Sequence, residues 1–175
     1  MLTKINTVID NFEKAVITTG MAAGTLLLFT NVVLRYVFDS GITWVLEAVQ
    51  YIFAWVVLIG AAHGIKVGIH LGIDILVEKF SRPTQRIIGL VASALTILFV
   101  ATVFVLSIQY TIKVYSWGDL SLDLQIPQWI PYLAIPIGLL LMLYHLLGVS
   151  WKIWKGEIVH IHASEASRAL EELEE

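Results

Sequence analysis

Long uninterrupted runs of apolar residues fill most of the chain, and the polar positions that break them fall into a few short clusters. At the start, Leu2, Ile5, Ile9, Phe12 and Val16 recur at alternating steps of three and four, with Lys4, Asp10, Asn11, Glu13 and Lys14 between them. That spacing predicts an amphipathic helix over residues 1–14, lying at a membrane surface. From Ala15 to Leu34 no charge occurs, and at about 1.5 Å per residue such a run matches a hydrocarbon core about 30 Å thick. The same reasoning places four spans at about 15–37, 42–62, 86–110 and 131–151. Between spans two and three, Ile73, Leu76, Val77 and Phe80 share one helical face opposite Asp74, Glu78 and Lys79, which predicts a second interfacial helix at about 70–81. Arg82-Pro83 suits the first turn of the helix that follows, and Pro136 is expected to bend the first turns of span four. Trp151 and Trp154 with Lys152 and Lys155 form an interfacial belt, and residues 152–175 read as an acidic tail. The pattern as a whole predicts an all-α integral membrane protein of four transmembrane helices, with amphipathic interfacial helices at the N-terminus and between spans two and three. No repeat or linker divides it into further domains.

Composition strengthens this reading. Hydrophobic residues make up 58% and charged residues 14% of the chain, with a mean hydropathy of +0.81, well outside the usual soluble range. The net charge of −3 is set by the tail, where Glu157, Glu165, Glu171, Glu172, Glu174 and Glu175 face only Arg168. The remainder is slightly basic and carries no basic stripe of the kind that binds nucleic acid. The chain has no cysteine, so thiolate and iron–sulfur chemistry drop out. The N-terminus does not read as a cleavable signal, because acids interrupt it.

Basic residues fall unevenly across the spans. Lys4, Lys14, Lys66, Lys79, Arg82, Arg86, Lys152, Lys155 and Arg168 lie on one side, and Arg35 and Lys113 on the other. Both termini are therefore expected in the cytoplasm, with the 39–43 turn and the 116–130 loop facing outward.

Within the outer half of the first hairpin, Arg35 and Glu47 stand equally far from Gly41. Folding the chain at that glycine sets them at one depth and brings Asn31 opposite Gln50 or Tyr51, so two polar faces are expected to meet. An unpaired arginine costs about 2.5–3.5 kcal/mol at a helix centre and less toward the edge. The pair is expected to fix the hairpin or the surface it presents to a partner. The alternative is that both residues are separate interfacial anchors beside Tyr36 and Trp44; a proton or substrate site is a further one. Gly60, Gly64, Gly68 and Gly72 recur at every fourth residue, a stripe for close helix packing or else a loosening of the chain as span two leaves the membrane.

Chemistry-bearing groups are sparse. His63 and His145 lie toward the inner ends of spans two and four, where two imidazoles could ligate a haem, and a haem-binding membrane anchor of an electron-transfer complex is the alternative function. His70 with Asp74 lacks a third ligand of suitable spacing. No cofactor and no metal are expected. The spans lack an ion-binding constellation, and the chain lacks a P-loop and a Ser-His-Asp arrangement, so neither an enzyme nor a self-sufficient small exporter is expected.

Four stretches together carry a family likeness: NVVLRYVF, then SGITWVLEAVQYIFAWVVLIGAA, then Lys66, His70 and Asp74 at four-residue steps, then IPQWIPYLAIPIGLLLM. Over roughly residues 15–150 the chain resembles the small membrane subunit of tripartite ATP-independent periplasmic (TRAP) transporters. It departs from the family at Leu46, where an acid often precedes the one retained as Glu47. The resemblance implies a bacterial inner-membrane importer in which a periplasmic binding protein delivers an organic acid, such as sialic acid or a C4-dicarboxylate. A large multi-span subunit then carries it inward on a sodium gradient. The small subunit would form a heterodimer with the large one, bracing its static scaffold within the membrane lipid. Asp39, Ser40, Asp119, Asp123 and Gln128 on the outward loops would help seat the binding protein.

Overall fold

The computed structural model describes residues 2–67 and 81–156. Helix α1 spans Leu2–Val37, α2 Trp44–Val67, α3 Arg82–Trp117, the single turn α4 Trp129–Tyr132, and α5 Ala134–Lys155. Four of these stretches, Asn6–Val37, Trp44–Val67, Pro83–Trp117 and Trp129–Lys155, are long and apolar enough to cross a membrane. The chain is thus an all-helical multi-pass membrane protein. The expected interfacial helix at 70–81, with Gly68, His70, Gly72 and Asp74, lies almost wholly outside the described residues, as does the tail beyond Gly156.

Helix boundaries follow local chemistry. Ser81 precedes α3 in an extended conformation with Pro83 in its first turn, where a missing N–H is harmless. Gly118 and Gly156 end α3 and α5 at φ 70° and 77°, the left-handed conformation that glycine adopts without strain. Pro136 cannot donate to the carbonyl of Tyr132, and the helix is interrupted at Leu133, between α4 and α5. The bend expected from Pro136 therefore falls just before it. Backbone bonding resumes where Ile137 N–H donates to Leu133 O at 3.2 Å.

The helices stand in a row. α1 packs against α2, α2 against α5, and α5 against α3, so α2 and α5 are central and α1 and α3 flank them. Burial agrees: in an 18-residue apolar stretch of each span, 28% and 33% of residues are buried in the two central helices, against 11% in each flanking one. Apart from contacts of α1 with α5, Asn6 with Tyr144 and Glu13 with His145, the layer is one helix thick. A buried cluster, Ile65, Val100, Leu139 and Leu146, lies between α2, α3 and α5.

Two sequence expectations are corrected. The N-terminal amphipathic segment is no separate surface helix; it is continuous with span one. Its polar stripe faces neighbouring helices: Glu13 has no exposed surface at all. The packing glycines also differ. A Cβ at Gly60 would meet nothing within 4 Å. The close approaches are at Gly20 against Val56, at Gly24, where an added Cβ would stand 3.0 Å from Phe53, and at Gly138, where it would stand 2.7 Å from Leu58 Cβ. Gly64 is buried in α2.

Candidate functional site

Contacts between α1 and α2 share one register. Asp10 meets Lys66, Glu13 meets His63, Gly20 meets Val56, Gly24 meets Ile52, and the Arg35 side chain lies over Gly41. Each pair has residue 38 as its midpoint. The hairpin expected to pivot at Gly41 therefore pivots three residues earlier, because α1 continues helical through Val37 and residues 38–43 form the crossing. A three-residue shift of the pivot displaces partners by six residues, or about 9 Å along a helix. Arg35 thus stands level with Gly41, and the expected Arg35–Glu47 ion pair is not formed.

Glu47 is engaged elsewhere. Its Oε1 accepts hydrogen bonds from Tyr51 OH at 2.6 Å and Leu122 N–H at 3.2 Å. Its Oε2 accepts from the N–H groups of Asp123 and Leu124, both at 2.8 Å. Three successive backbone donors around a carboxylate form an anion nest, so Glu47 pins the 118–128 loop over the outer end of α2. The loop is prepared for this by its own bonds. Ser121 N–H donates to Ile126 O at 2.8 Å, Gln128 N–H to Asp119 O at 3.0 Å, and the Gln125 amide to Leu122 O at 2.7 Å. Asn31 is not opposite Gln50 or Tyr51 either. Its buried Oδ1 accepts from Ile42 N–H at 2.8 Å and closes the first turn, where Asp39 takes φ 48°.

Other residues singled out in the sequence gather at this outer end. Asn31, Arg35, Tyr36, Asp39 and Asp123 line an open cleft of about 760 Å³. Gln50, Gln128 and Asp123 line an adjoining one of about 340 Å³. Tyr36 is 80% exposed and Trp44 40%, positions suited to an interfacial belt. Ser40 and Asp119 are exposed.

A second carboxylate organises the opposite end. Glu13 Oε2 lies 2.8 Å from His63 Nδ1, and Oε1 lies 2.7 Å from His145 Nε2, joining α1, α2 and α5. Asp10 pairs with the Lys66 ammonium, and Tyr144 OH donates to Asn6. Asp10, Glu13 and His63 place potential ligand atoms within 4.8 Å of one another. Lys66 already brings a cation to Asp10, and both oxygens of Glu13 are met by imidazoles, so the chain's own residues engage both carboxylates. His63 and His145 do converge, yet the Glu13 carboxylate occupies the space between them, leaving no gap for a porphyrin ring. Sequence reasoning missed this knot by assigning Asp10 and Glu13 to a water-facing helix surface. The available signal was the matched three-residue spacing of Asp10–Glu13 and His63–Lys66.

Between the ends, Ser107 and Thr111 of α3 serve their own helix: Ser107 Oγ donates to Phe104 O at 2.7 Å and Thr111 Oγ1 to Ser107 O at 2.8 Å.

Comparison with known proteins agrees with this architecture. The profile of the family described as tripartite ATP-independent periplasmic transporters, DctQ component, matches residues 24–156. A C4-dicarboxylate TRAP transporter small permease protein DctQ from Vibrio cholerae is 33% identical over 94% of this chain and 81% of its own length. The protein of the same description from Rhodobacter capsulatus is 34% identical over 81% of this chain, which spans 61% of that relative. An isethionate TRAP transporter permease protein DctMQ from Oleidesulfovibrio alaskensis is 26% identical over 78% of this chain and 22% of its own length. These relatives are permease subunits of transporters rather than enzymes. With four apolar helices in the expected order and a match across most of its length, the chain belongs to the DctQ family and is a small membrane subunit of a TRAP transporter.

Proposed function

We propose that the chain is the structural subunit of a sodium-driven importer of a small organic acid, of the C4-dicarboxylate class rather than sialic acid, in a bacterial inner membrane. It holds a large multi-span subunit in place and offers its outward loops to a periplasmic binding protein. The observation that carries this reading is the distribution of ionisable groups. Among the described residues, the carboxylates hydrogen-bonded within the layer lie toward its two ends, where Glu13 is consumed by contacts that join helices and Glu47 by contacts that pin a loop. The middle of the layer has, among the described residues, no charged side chain with which to bind and release an ion or an acid. The substrate class follows that of the Vibrio and Rhodobacter relatives, and the association with a large subunit is supported by the DctMQ relative.

With both termini cytoplasmic, the Glu47-pinned loop faces the periplasm and presents exposed Asp39, Ser40, Asp119 and Asp123 beside Gln128. The direct test is sodium-gradient uptake of succinate in liposomes holding the large subunit and binding protein, with and without this chain. Uptake is expected only with all three. Succinate uptake by liposomes containing this chain alone would overturn the proposal.

A further inference from the structure

The single-layer row has two broad flanks, and the polar groups at its outer end are not shared equally between them. The clefts at Arg35 and at Gln50 adjoin, sharing Leu46 and Asp123, so Arg35, Leu46 and Gln50 belong to one flank. A third depression, of about 420 Å³, lies toward Trp44 and is lined by Leu26, Leu27 and Val45 with little polar besides Thr30 and Asn31. It meets the Arg35 cleft at Asn31 and Ile42 but runs onto the opposite face, since Leu26 and Arg35 are nine residues, or about two and a half turns, apart on α1. Leu46 is 57% exposed on the first side and Leu26 64% on the second, so neither flank is covered by the chain itself.

Among the described residues, the Arg35 guanidinium and the Gln50 amide have no hydrogen-bonding or ionic partner. Both are exposed. Arg35 is shallow enough to reach water or a lipid phosphate. Gln50 lies six residues beyond Trp44, about 9 Å farther along α2, where Asp123 and Gln128 of the loop share its cleft. The same helix face runs on to Val57, which is 65% exposed. A soluble protein docking at the loop cannot follow that face on to Val57, seven residues and about 10 Å beyond Gln50, and a lipid headgroup cannot satisfy both Arg35 and Gln50. A membrane-embedded polypeptide can.

We propose that the Arg35–Leu46–Gln50 flank is the seat of the large permease subunit, and that the Leu26–Trp44 flank faces lipid. The occupant is a transmembrane helix of that subunit. It brings a carboxylate or free backbone carbonyls to Arg35 near the outer surface, an apolar stretch against Leu46 and Val57, and a polar side chain to Gln50 about two turns deeper. The inference rests on the partnership proposed above and adds which side of this chain is used.

The experiment co-expresses the full chain with the large subunit and incorporates a benzophenone-bearing residue in place of Leu46 or Gln50, or in place of Leu26 or Trp44. Light is expected to join positions 46 and 50 to the large subunit and to leave 26 and 44 unlinked to it. In parallel, Arg35→Ala is expected to lower the large subunit retained on the tagged chain by about tenfold, the scale of one charge-assisted contact, while Leu26→Ala leaves it unchanged. Helical content measured on each purified variant separates loss of the partner from loss of fold. If the unsubstituted pair co-purifies but links form from 26 and 44, or equally from both flanks, the assignment of sides is wrong and the partnership stands. That assignment fails equally if positions 46 and 50 capture only lipid or the binding protein. If the unsubstituted pair does not co-purify, the partnership falls and the assignment falls with it.

Discussion

Glu13 shows what one side chain must have around it to be buried in a membrane protein: each carboxylate oxygen is met by an imidazole nitrogen, from His63 on α2 and His145 on α5. Glu13→Leu removes the acceptor from buried His145 and from the partly exposed His63 and is expected to cost about 2 kcal/mol, the scale of one unsatisfied buried donor and a second that water can reach. Glu13→Gln keeps one acceptor and is expected to cost less. Thermal unfolding in detergent checks the order, and a Glu13→Leu protein as stable as the parent would show that the knot adds nothing. Glu47 acts differently, since three of its four donors are backbone N–H groups of a surface loop. Glu47→Leu is expected to leave the helices intact and to speed amide hydrogen exchange at Leu122, Asp123 and Leu124, with little change in α5. These roles were only partly visible in the sequence. That Glu47 needed polar company could be read from its apolar surroundings, but its loop partners lie 75 to 77 positions away, beyond the reach of any hairpin argument.

At the scale of helices, close packing depends on Gly20, Gly24 and Gly138 rather than on the stripe at Gly60. A Cβ at Gly138 would stand 2.7 Å from Leu58 Cβ and 3.3 Å from Leu58 backbone atoms, and backbone cannot rotate away. Gly138→Ala is therefore expected to push α2 and α5 apart and to destabilise by about 1–3 kcal/mol. Gly148→Ala on the same helix meets nothing within 4 Å and is expected to be neutral or slightly stabilising, through helix propensity. Comparing the two thermal midpoints tests the claim, since equal effects would remove it. Helix number, type and approximate position were legible because lipid allows so few backbone solutions. Register was not, because the midpoint of a hairpin depends on where the first helix stops. Nothing between Arg35 and Gly41 except the Asp39-Ser40-Gly41 cluster marks that point. Once the pivot is set at residue 38, the two acid–base contacts of the inner knot and the Gly20 and Gly24 contacts fall into line together.

For the molecule as a whole, the excess of basic residues on one side predicts a cytoplasmic inner knot and a periplasmic outer loop. Since the chain has no cysteine, single thiols report sidedness cleanly. Ser40→Cys is expected to react with a membrane-impermeant maleimide in intact spheroplasts and Lys155→Cys only after lysis; the reverse pattern would invert the topology. The row of helices itself was not legible, because hydrophobic runs fix how many helices cross but not whether they close into a bundle. A file of helices one layer deep can furnish one side of a passage and never its full circumference. Any aqueous route that runs along this protein must borrow its remaining walls from a neighbour. Charges placed on the exposed flanks would therefore disturb the fit between subunits before they altered what is carried.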